Sequence, residues 1–234
     1  MAEMKLSFLY RAAVTKGEEL RYISHLDYAG AIQRAIRRAG LPAAYSEGFN
    51  PHLKISFASA LAVGVTSDIE YFDLELAEPL PPLTVAKRLK ATLPPGINLL
   101  ELRQLRKRKG TLMAEADEAG YTVDIPLTGP AEAARAAVAA FNAAPECVFH
   151  RATPKKTRDI EVKQYMAEAI ALETGGETAR LTMRIRITPT GSIKPGEVLS
   201  LLVDRYGFPG DERNAGLCRR ALTGQGKSLL ELDD

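Results

Sequence analysis

The sequence predicts an α+β fold, because two successive halves of the chain repeat one order of strand and helix patterns. Each half reads β-α-β-β-α-β, the order of the ferredoxin-like split βαβ unit. The chain has 234 residues, of which 46% are hydrophobic and 26% charged, as in ordinary globular proteins. This length accommodates two domains of about 100 to 120 residues. We therefore expect two tandem ferredoxin-like (βαββαβ) domains.

The first predicted domain, residues 1–105, begins with a strand at 4–11, where apolar and polar residues alternate. A helix follows at 24–39; Ser24 with Asp27 resembles a capping box, and Gly40 stops the helix. Its expected buried stripe is Leu26, Ala29, Ile32, Ile36 and Ala39.

The rest of this domain has strands predicted at 54–60, 69–76 and 98–104 and a helix at 83–93. Strand 69–76 alternates in polarity, so that neighbouring side chains are expected on opposite faces. Its inward set is Phe72, Leu74 and Leu76, and its outward set is Tyr71, Asp73 and Glu75.

The second predicted domain, residues 121–234, follows a linker at 106–120 that has little apolar pattern and switches from basic to acidic. Strands are expected at 121–127, 159–173, 179–188 and 217–222, and helices at 130–143 and 195–206. The repeated order, more than any single boundary, supports the tandem fold.

Composition restricts the classes of function. The net charge is +2, so that any contact with nucleic acid must come from clustered charge. Cys147 and Cys218 lie far apart without ligand spacing, which favours reduced thiols over a disulfide or a metal site. The first residues do not resemble a signal peptide, and no stretch is long and apolar enough for a membrane span. We expect a cytoplasmic protein without a membrane partner.

Arginines form the first candidate RNA contact. In strand 179–188, Arg180, Arg184 and Arg186 are predicted on one open face, where they could bind phosphates. The alternative is that carboxylates of the preceding strand pair with them across the sheet. Those carboxylates are Asp159, Glu161 and Glu173.

Further cations occur in clusters. One lies on helix 24–39, where Arg34 and Arg38 share a face four residues apart. A charge cluster is often only solvated surface, but several clusters in a near-neutral chain favour an anionic polymer, most plausibly RNA. The clusters are Arg34, Arg37 and Arg38; Arg103, Arg106, Lys107, Arg108 and Lys109; and Lys155, Lys156, Arg158 and Lys163.

The loop at residues 45–54, YSEGFNPHLK, combines flat rings with hydrogen-bonding groups. Aromatic side chains stack on unpaired bases, and hydroxyl, amide and ammonium groups contact base edges or phosphates. Alternatively, Phe49 anchors the loop in the core. With residues around the start of the helix, the candidate RNA-binding set is Arg21, Ser24, His25, Arg34, Arg38, Tyr45, Ser46, Phe49, Asn50, His52, Lys54, Arg180, Arg184 and Arg186.

Signals for catalysis are few. His25 and His52 could form an acid–base pair with Lys54 nearby, which would suit RNA cleavage without a metal. A lone histidine in a helix is more often structural. The sequence contains no Gly-rich phosphate loop, nucleophile triad or metal-ligand motif. No catalytic residue is therefore assigned firmly, and no metal is expected.

Residues 22–76 resemble the radical SAM-linked protein family. The matching segments are YISHLD at 22–27, RAIRRAGLP at 34–42, YSEGFNPHLKISFA at 45–58 and LAVGVTSDIEYFDLEL at 61–76. Weaker likeness continues at 158–165, 191–199 and 218–222. The resemblance implies a radical SAM protein as partner and an RNA-related setting, with tRNA or rRNA as the RNA class. S-adenosylmethionine and the iron–sulfur cluster would belong to that partner, since this chain has no three-cysteine motif.

These observations lead to one main hypothesis, an RNA-binding or substrate-presenting accessory protein of a radical SAM RNA-modification enzyme. A second hypothesis is a metal-independent endoribonuclease; the tandem order is also similar to that of CRISPR-RNA-processing endoribonucleases, by analogy of fold alone. A third is a protein-interaction module that does not bind RNA.

Overall fold

The protein has a mixed α+β structure, as the sequence predicts. The computed structural model describes residues 8–106, 110–153 and 156–232. It divides into two compact units, the first formed by Met1–Ala116 and Leu222–Asp234 and the second by Asp117–Ala221. The predicted cations Lys107, Arg108, Lys109 and Lys155 lie outside the described residues, as does the start of the first predicted strand.

The first unit has the predicted β-α-β-β-α-β order. Its strands are adjacent in the order β4-β1-β3-β2, and each neighbouring pair is antiparallel. A one-turn helix, α3, follows the last of these strands. The elements are β1 Phe8–Lys16, α1 His25–Arg38, β2 Ile55–Phe57, β3 Val65–Leu76, α2 Pro82–Lys90, β4 Leu99–Gln104 and α3 Leu112–Glu115.

Helix α1 begins and ends where the sequence predicts. The Ser24 hydroxyl accepts the backbone N–H of Asp27 at 3.1 Å, and Gly40 adopts a left-handed φ of +60° after the last turn. The buried face includes Tyr28, Ile32 and Ile36. Leu26 was expected in this face, but its side chain is 81% exposed. It lies about 120° around the helix from the buried Ile32, and so outside the face that packs on the core.

The predicted outward face of β3 is wrong for two residues, because Tyr71 and Asp73 are buried. The segment that contains Ser228 and Leu229, which belongs to the first unit, contacts this face. The Tyr71 hydroxyl lies 3.0 Å from Ser228 Oγ. Arg11 donates to Asp73 Oδ1 at 2.7 Å and to the Leu229 carbonyl at 2.7 Å. A charge this deeply buried is tolerated because carboxylate and carbonyl oxygens accept the hydrogen bonds of the guanidinium.

The second unit contains the same order with an added hairpin. Strands β10, β5, β9 and β8 are adjacent in that order, and the hairpin β6–β7 stands between α4 and β8 in the chain. The elements are β5 Glu118–Pro126, α4 Ala131–Ala143, β6 Val148–Thr153, β7 Lys156–Glu161, β8 Ala171–Gly175, β9 Thr178–Arg186, α5 Pro195–Tyr206 and β10 Gly216–Gly224. The end of β10, from Leu222 onward, and the two-residue strand β11 Lys227–Ser228 that pairs with it belong to the first unit.

The continuous strand predicted at 159–173 is wrong. Strand β7 ends at Glu161, and a 3-10 turn at Val162–Gln164 separates it from β8. The Glu161 carboxylate accepts the backbone N–H groups of Cys147 at 2.9 Å and Lys163 at 3.0 Å. This carboxylate fixes the turn, while Val162 is buried. The chain is therefore redirected between two strands that the sequence pattern joins.

The compact units differ in their bounds from the predicted domains. Helix α3 and the start of β5 lie in the predicted linker at 106–120, and Leu112 in that segment is buried. The segment Leu222–Asp234 belongs to the first unit rather than to the second. Whether each predicted domain folds by itself stays a prediction.

Candidate functional site

The loop at residues 45–54 projects from two paired chain segments of the first unit. Lys54 N–H donates to the Ala44 carbonyl at 2.9 Å, and Ser46 N–H donates to the His52 carbonyl at 2.8 Å. Tyr45 and Leu53 form an antiparallel bridge between them. The tip, residues 47–51, is exposed throughout. These contacts hold the base of the loop in one geometry and leave its tip in solvent.

Leu53, and not Phe49, anchors this loop in the core. The Leu53 side chain is 2% exposed and belongs to the apolar core of the unit. The Phe49 side chain is 107% exposed, which means complete exposure. The alternative that Phe49 is a core anchor is therefore wrong. Its exposure agrees with the prediction of a ring that is available for stacking.

Ser46 and His52 close the loop through their side chains. The Ser46 hydroxyl accepts the backbone N–H of His52 at 3.1 Å and lies 2.9 Å from His52 Nδ1. When the hydroxyl donates to Nδ1, the neutral imidazole carries its proton at Nε2. That nitrogen can then donate to a ligand, because the ring is exposed.

His25 and His52 have different surroundings. The His25 ring packs edge-on against Phe57, with 5.3 Å between ring centroids. His52 precedes Phe57 by five residues of largely extended chain, which spans about 16 Å. Lys54 Nζ lies 3.4 Å from Glu75 Oε2. This arrangement does not support the predicted acid–base pair, and it gives Lys54 a carboxylate partner.

The three arginines of α1 are exposed but differ in their contacts. Arg38 Nη2 donates to the Thr92 carbonyl, which follows α2, at 2.6 Å. Arg37 is turned about 100° from Arg38 on the helix and is exposed. Arg34 is also exposed, and its guanidinium lies over Gly30. Arg34, about 40° from Arg38 around the helix, and Arg37 are thus exposed arginines of α1 that can reach a ligand.

Arg21 and Ser24 have structural contacts. Arg21 Nε donates to the Gly64 carbonyl at 2.9 Å, and its guanidinium lies 5.4 Å from the Tyr22 ring centroid. The Ser24 hydroxyl donates to Asp27 Oδ2 at 2.7 Å while it caps α1. Both residues were predicted to contact RNA. In the structure, their contacts stabilise the backbone at the start of the helix.

The arginines of β9 alternate with buried residues as predicted, but carboxylates pair with two of them. Arg180 Nε lies 2.6 Å from Asp124 Oδ1, and Arg184 forms an ion pair with Glu118. Hydrogen bonds to these carboxylates raise the pKa of both guanidinium groups. Pairing of the arginines with carboxylates, which was the alternative to phosphate binding, is thus observed for Arg180 and Arg184. The carboxylates lie on β5 and not on the strand that was expected to supply them.

The carboxylates named for that pairing have mostly other roles. Asp159 accepts from His150 Nδ1 at 2.7 Å within the β6–β7 hairpin, and Glu161 caps the turn described above. Glu173 lies opposite Arg180 in the register of β8 and β9. The third arginine, Arg186, donates to the Met166 carbonyl at 2.8 Å. The Arg186 guanidinium is therefore also hydrogen-bonded, in this case to the backbone.

The other predicted basic clusters are also partly engaged. Arg103 Nε lies 2.6 Å from Glu101 Oε1, Arg158 donates to the Thr190 carbonyl at 3.2 Å, and Lys163 lies 4.0 Å from the Phe141 ring centroid. Burial lowers the pKa of Lys163.

An open cleft of about 560 Å³ follows β4 and is lined by Pro82, Leu102, Arg103, Gln104, Leu105, Arg106 and Leu230.

Sequence reasoning missed a buried ammonium group beneath the start of α1. Lys16 Nζ donates to the carbonyls of Arg21 and Val65, each at 3.1 Å, and lies 3.4 Å from that of Ile23. Burial lowers the pKa of Lys16, and the charge of Glu70 opposes this shift. These hydrogen bonds link the backbone of residues 21–23 to that of residue 65. A single lysine at the end of a strand carries no pattern that would indicate burial.

Three apolar side chains remain exposed beside these tied segments. Tyr22 and Leu26 are 74% and 81% exposed, and Val63 is 57% exposed. Gly64 N–H donates to the Arg21 carbonyl at 2.9 Å, which brings residue 63 close to residue 22 along the backbone. Exposed apolar side chains on neighbouring backbone segments, such as Tyr22 and Val63, are candidates for a protein contact surface.

The described part of the chain has neither a cluster of metal ligands nor a helix that could span a membrane. Within 8–106, 110–153 and 156–232, no group of three or more His, Cys, Asp or Glu residues could hold a metal ion. Over the same ranges, no helix has the length and apolarity that crossing a membrane requires.

A family model matches most of the sequence. It describes an uncharacterized protein conserved in bacteria, DUF2344, and matches residues 9–195. The chain belongs to this family. The DUF2344 match includes the loop at 45–54, α1 and the arginines of β9, so that both candidate RNA surfaces lie inside it. No curated protein matches the chain closely enough to count as a relative.

Several solved structures show low similarity to the chain. A Cbf5-Nop10-Gar1 complex matches with 11% identity and a TM-score of 0.46 over 95% of this chain and 54% of the other. An archaeal box H/ACA sRNP Nop10-Cbf5 complex matches with 13% identity and a TM-score of 0.45, over 95% and 53%. An unknown protein from Galdieria sulphuraria matches with 12% identity, a TM-score of 0.27 and coverage of 94% and 99%. The DUF2344 chain thus spans about half the length of the first two.

Proposed function

We propose that the protein is an RNA-binding accessory protein that presents structured RNA, of the tRNA or rRNA class, to a modification enzyme in the cytoplasm. The observation that carries this proposal is the complete exposure of Phe49 at the tip of a loop whose base is fixed by hydrogen bonds. An exposed ring in a rigid loop is suited to stacking on bases. Exposed Arg34 and Arg37 supply cations for phosphates on the helix that leads into this loop.

The fold part of the proposal is that both units are ferredoxin-like. Each has the β-α-β-β-α-β order, and strands one to four of each lie in the spatial order 4-1-3-2. In the second unit, the β6–β7 hairpin is an insertion into that order. We therefore propose two such units in tandem, which is the fold class predicted from sequence.

RNA binding is tested directly with purified bulk tRNA and rRNA in EDTA, by filter binding at several salt concentrations. We expect retention that weakens steeply as salt increases, because phosphate contacts release counterions. The same samples, analysed on a denaturing gel, test the alternative endoribonuclease. Discrete metal-independent cleavage would favour that enzyme, and absence of retention at low salt would contradict the proposed function.

The partner part of the proposal is a radical SAM protein, which would bind S-adenosylmethionine and the iron–sulfur cluster itself. The resemblance of residues 22–76 supports it, and so does the exposed apolar group formed by Tyr22, Leu26 and Val63, where we place the contact. Tyrosine is common among residues that dominate binding energy at interfaces. This surface is also what favours the third hypothesis, a protein-interaction module.

The partner is tested with the purified radical SAM protein encoded in the same genome, by co-elution in gel filtration. We expect a complex with the unaltered protein and none with the double variant Tyr22→Ser, Leu26→Ser. Phe49→Ala is the matched control, since it removes an even more exposed ring outside that surface and should leave the complex intact. A complex that survives the double variant would contradict this placement, and failure of the unaltered proteins to co-elute would contradict the partner.

A further inference from the structure

We propose that the loop at 45–54 receives a single unpaired nucleobase, so that the ligand is the unpaired part of an RNA and not its duplex. This rests on the proposed function, since it names the class of RNA that the same site binds. It follows from the position of the ring, the rigidity of the loop and the charges around the tip.

The position of the Phe49 ring requires an accessible base. A phenylalanine ring offers only its faces and edges, and its strongest contact with RNA is stacking on a base. In an A-form duplex, the bases are stacked on each other, and the deep, narrow major groove excludes side chains. A fully exposed ring at a loop tip can therefore reach a base only where that base is unpaired and turned outward.

The loop is rigid enough for the ring to act as a platform. Its two sides are joined at Ala44 and Lys54, at Tyr45 and Leu53, and at Ser46 and His52. Gly48 has a φ of +116°, which side-chain-bearing residues rarely adopt, so that glycine makes the turn before Phe49 possible. Pro51 restricts the backbone after it. A platform that is already ordered loses little entropy when it binds.

Charges at the tip favour a base over a phosphate. The exposed carboxylate of Glu47 is two residues from Phe49 and repels phosphates. Asn50, also exposed, offers an amide donor and an acceptor, which are complementary to base edges. The positive groups of α1, Arg34 and Arg37, lie outside the tip. The site thus separates into a base-contacting tip and a phosphate-contacting helix.

The experiment uses tryptophan as a reporter, because the chain contains no tryptophan. Phe49→Trp places a single indole at the tip. The probes are a mixed-sequence single-stranded RNA of 12 nucleotides and the blunt duplex that it forms with its complement. Leu83→Trp is the matched control, because Leu83 is 81% exposed at the start of α2 and outside the loop.

We expect the single strand to quench the fluorescence of Phe49→Trp and to leave that of Leu83→Trp unchanged, while the duplex quenches neither. Phe49→Ala should weaken single-strand binding by about 5-fold to 150-fold, the range for loss of one stacked base, without changing its salt dependence. Circular dichroism melting of Phe49→Ala confirms that it is folded.

The outcomes separate this inference from the proposed function. If the duplex binds as tightly as the single strand and the fluorescence of Phe49→Trp is not quenched, the proposal that the loop receives a base is wrong. The proposed function as an RNA-binding protein is then unaffected. If neither probe binds the unaltered protein at low salt, both proposals are wrong.

Discussion

The arginine row on β9 and the loop at 45–54 were predicted as RNA surfaces from similar reasoning, yet the fold treats them differently. On β9, Asp124 pairs with Arg180 and Glu118 pairs with Arg184, so that the row is largely neutralised. At the loop, Phe49 is exposed, and Leu53 alone of its apolar residues is buried. A row of like charges is therefore weaker evidence of a ligand than an exposed aromatic ring on a fixed loop.

The largest expected effect tests which residue of the loop is structural. Leu53→Ala should lower the free energy of unfolding by about 2–5 kcal/mol, because it leaves a cavity in a packed core. Phe49→Ala should change it by less than about 0.5 kcal/mol, as for exposed positions in general. Urea unfolding followed by circular dichroism measures both. Equal losses in the two variants would show that Phe49 is packed, which would remove the difference between the loop's tip and its base.

The next effect compares the two sets of arginines by RNA binding. Arg34→Ala with Arg37→Ala should weaken binding by about 1–3 kcal/mol in total and lower the salt slope by about one to two, if each contacts one phosphate. Arg180→Ala with Arg184→Ala is the matched control, since it removes the same charge, and it should change the affinity by less than about twofold. Filter binding at 50 and 200 mM salt measures both. The reverse ranking would place the RNA surface on β9.

The smallest expected effect tests whether ion pairs with carboxylates prevent the β9 arginines from binding RNA. Asp124→Asn keeps the size of the side chain but removes the charge that faces Arg180. We expect RNA affinity at low salt to increase by about twofold to fivefold, as for one weak charge contact, because the guanidinium becomes available to phosphate. Thr122→Ala, on the same strand, serves as the control without a change of charge. An unchanged affinity in Asp124→Asn would mean that the position of the row, and not its pairing, keeps RNA away.

Local patterns in the sequence were sufficient for much of the fold. The element order of the first half, the cap at Ser24, the helix Pro195–Tyr206 and the alternation on β9 all appear as predicted. These features depend on residues within one or two turns or on neighbours along one strand. Periodicity and capping report such short-range preferences directly.

Tertiary structure decided the rest. The return of Leu222–Asp234 to the first unit buries Tyr71 and Asp73, and the pairing of β5 with β9 selects Asp124 and Glu118 as partners of the arginines. Which side chain anchors the loop at 45–54 also depends on what packs beneath it. Each of these outcomes joins residues that are distant in sequence, and a pattern along the chain does not specify such contacts. The sequence by itself therefore determined most of the elements and the chemistry of the loop, whereas long-range packing determined which of those groups stay open to a ligand.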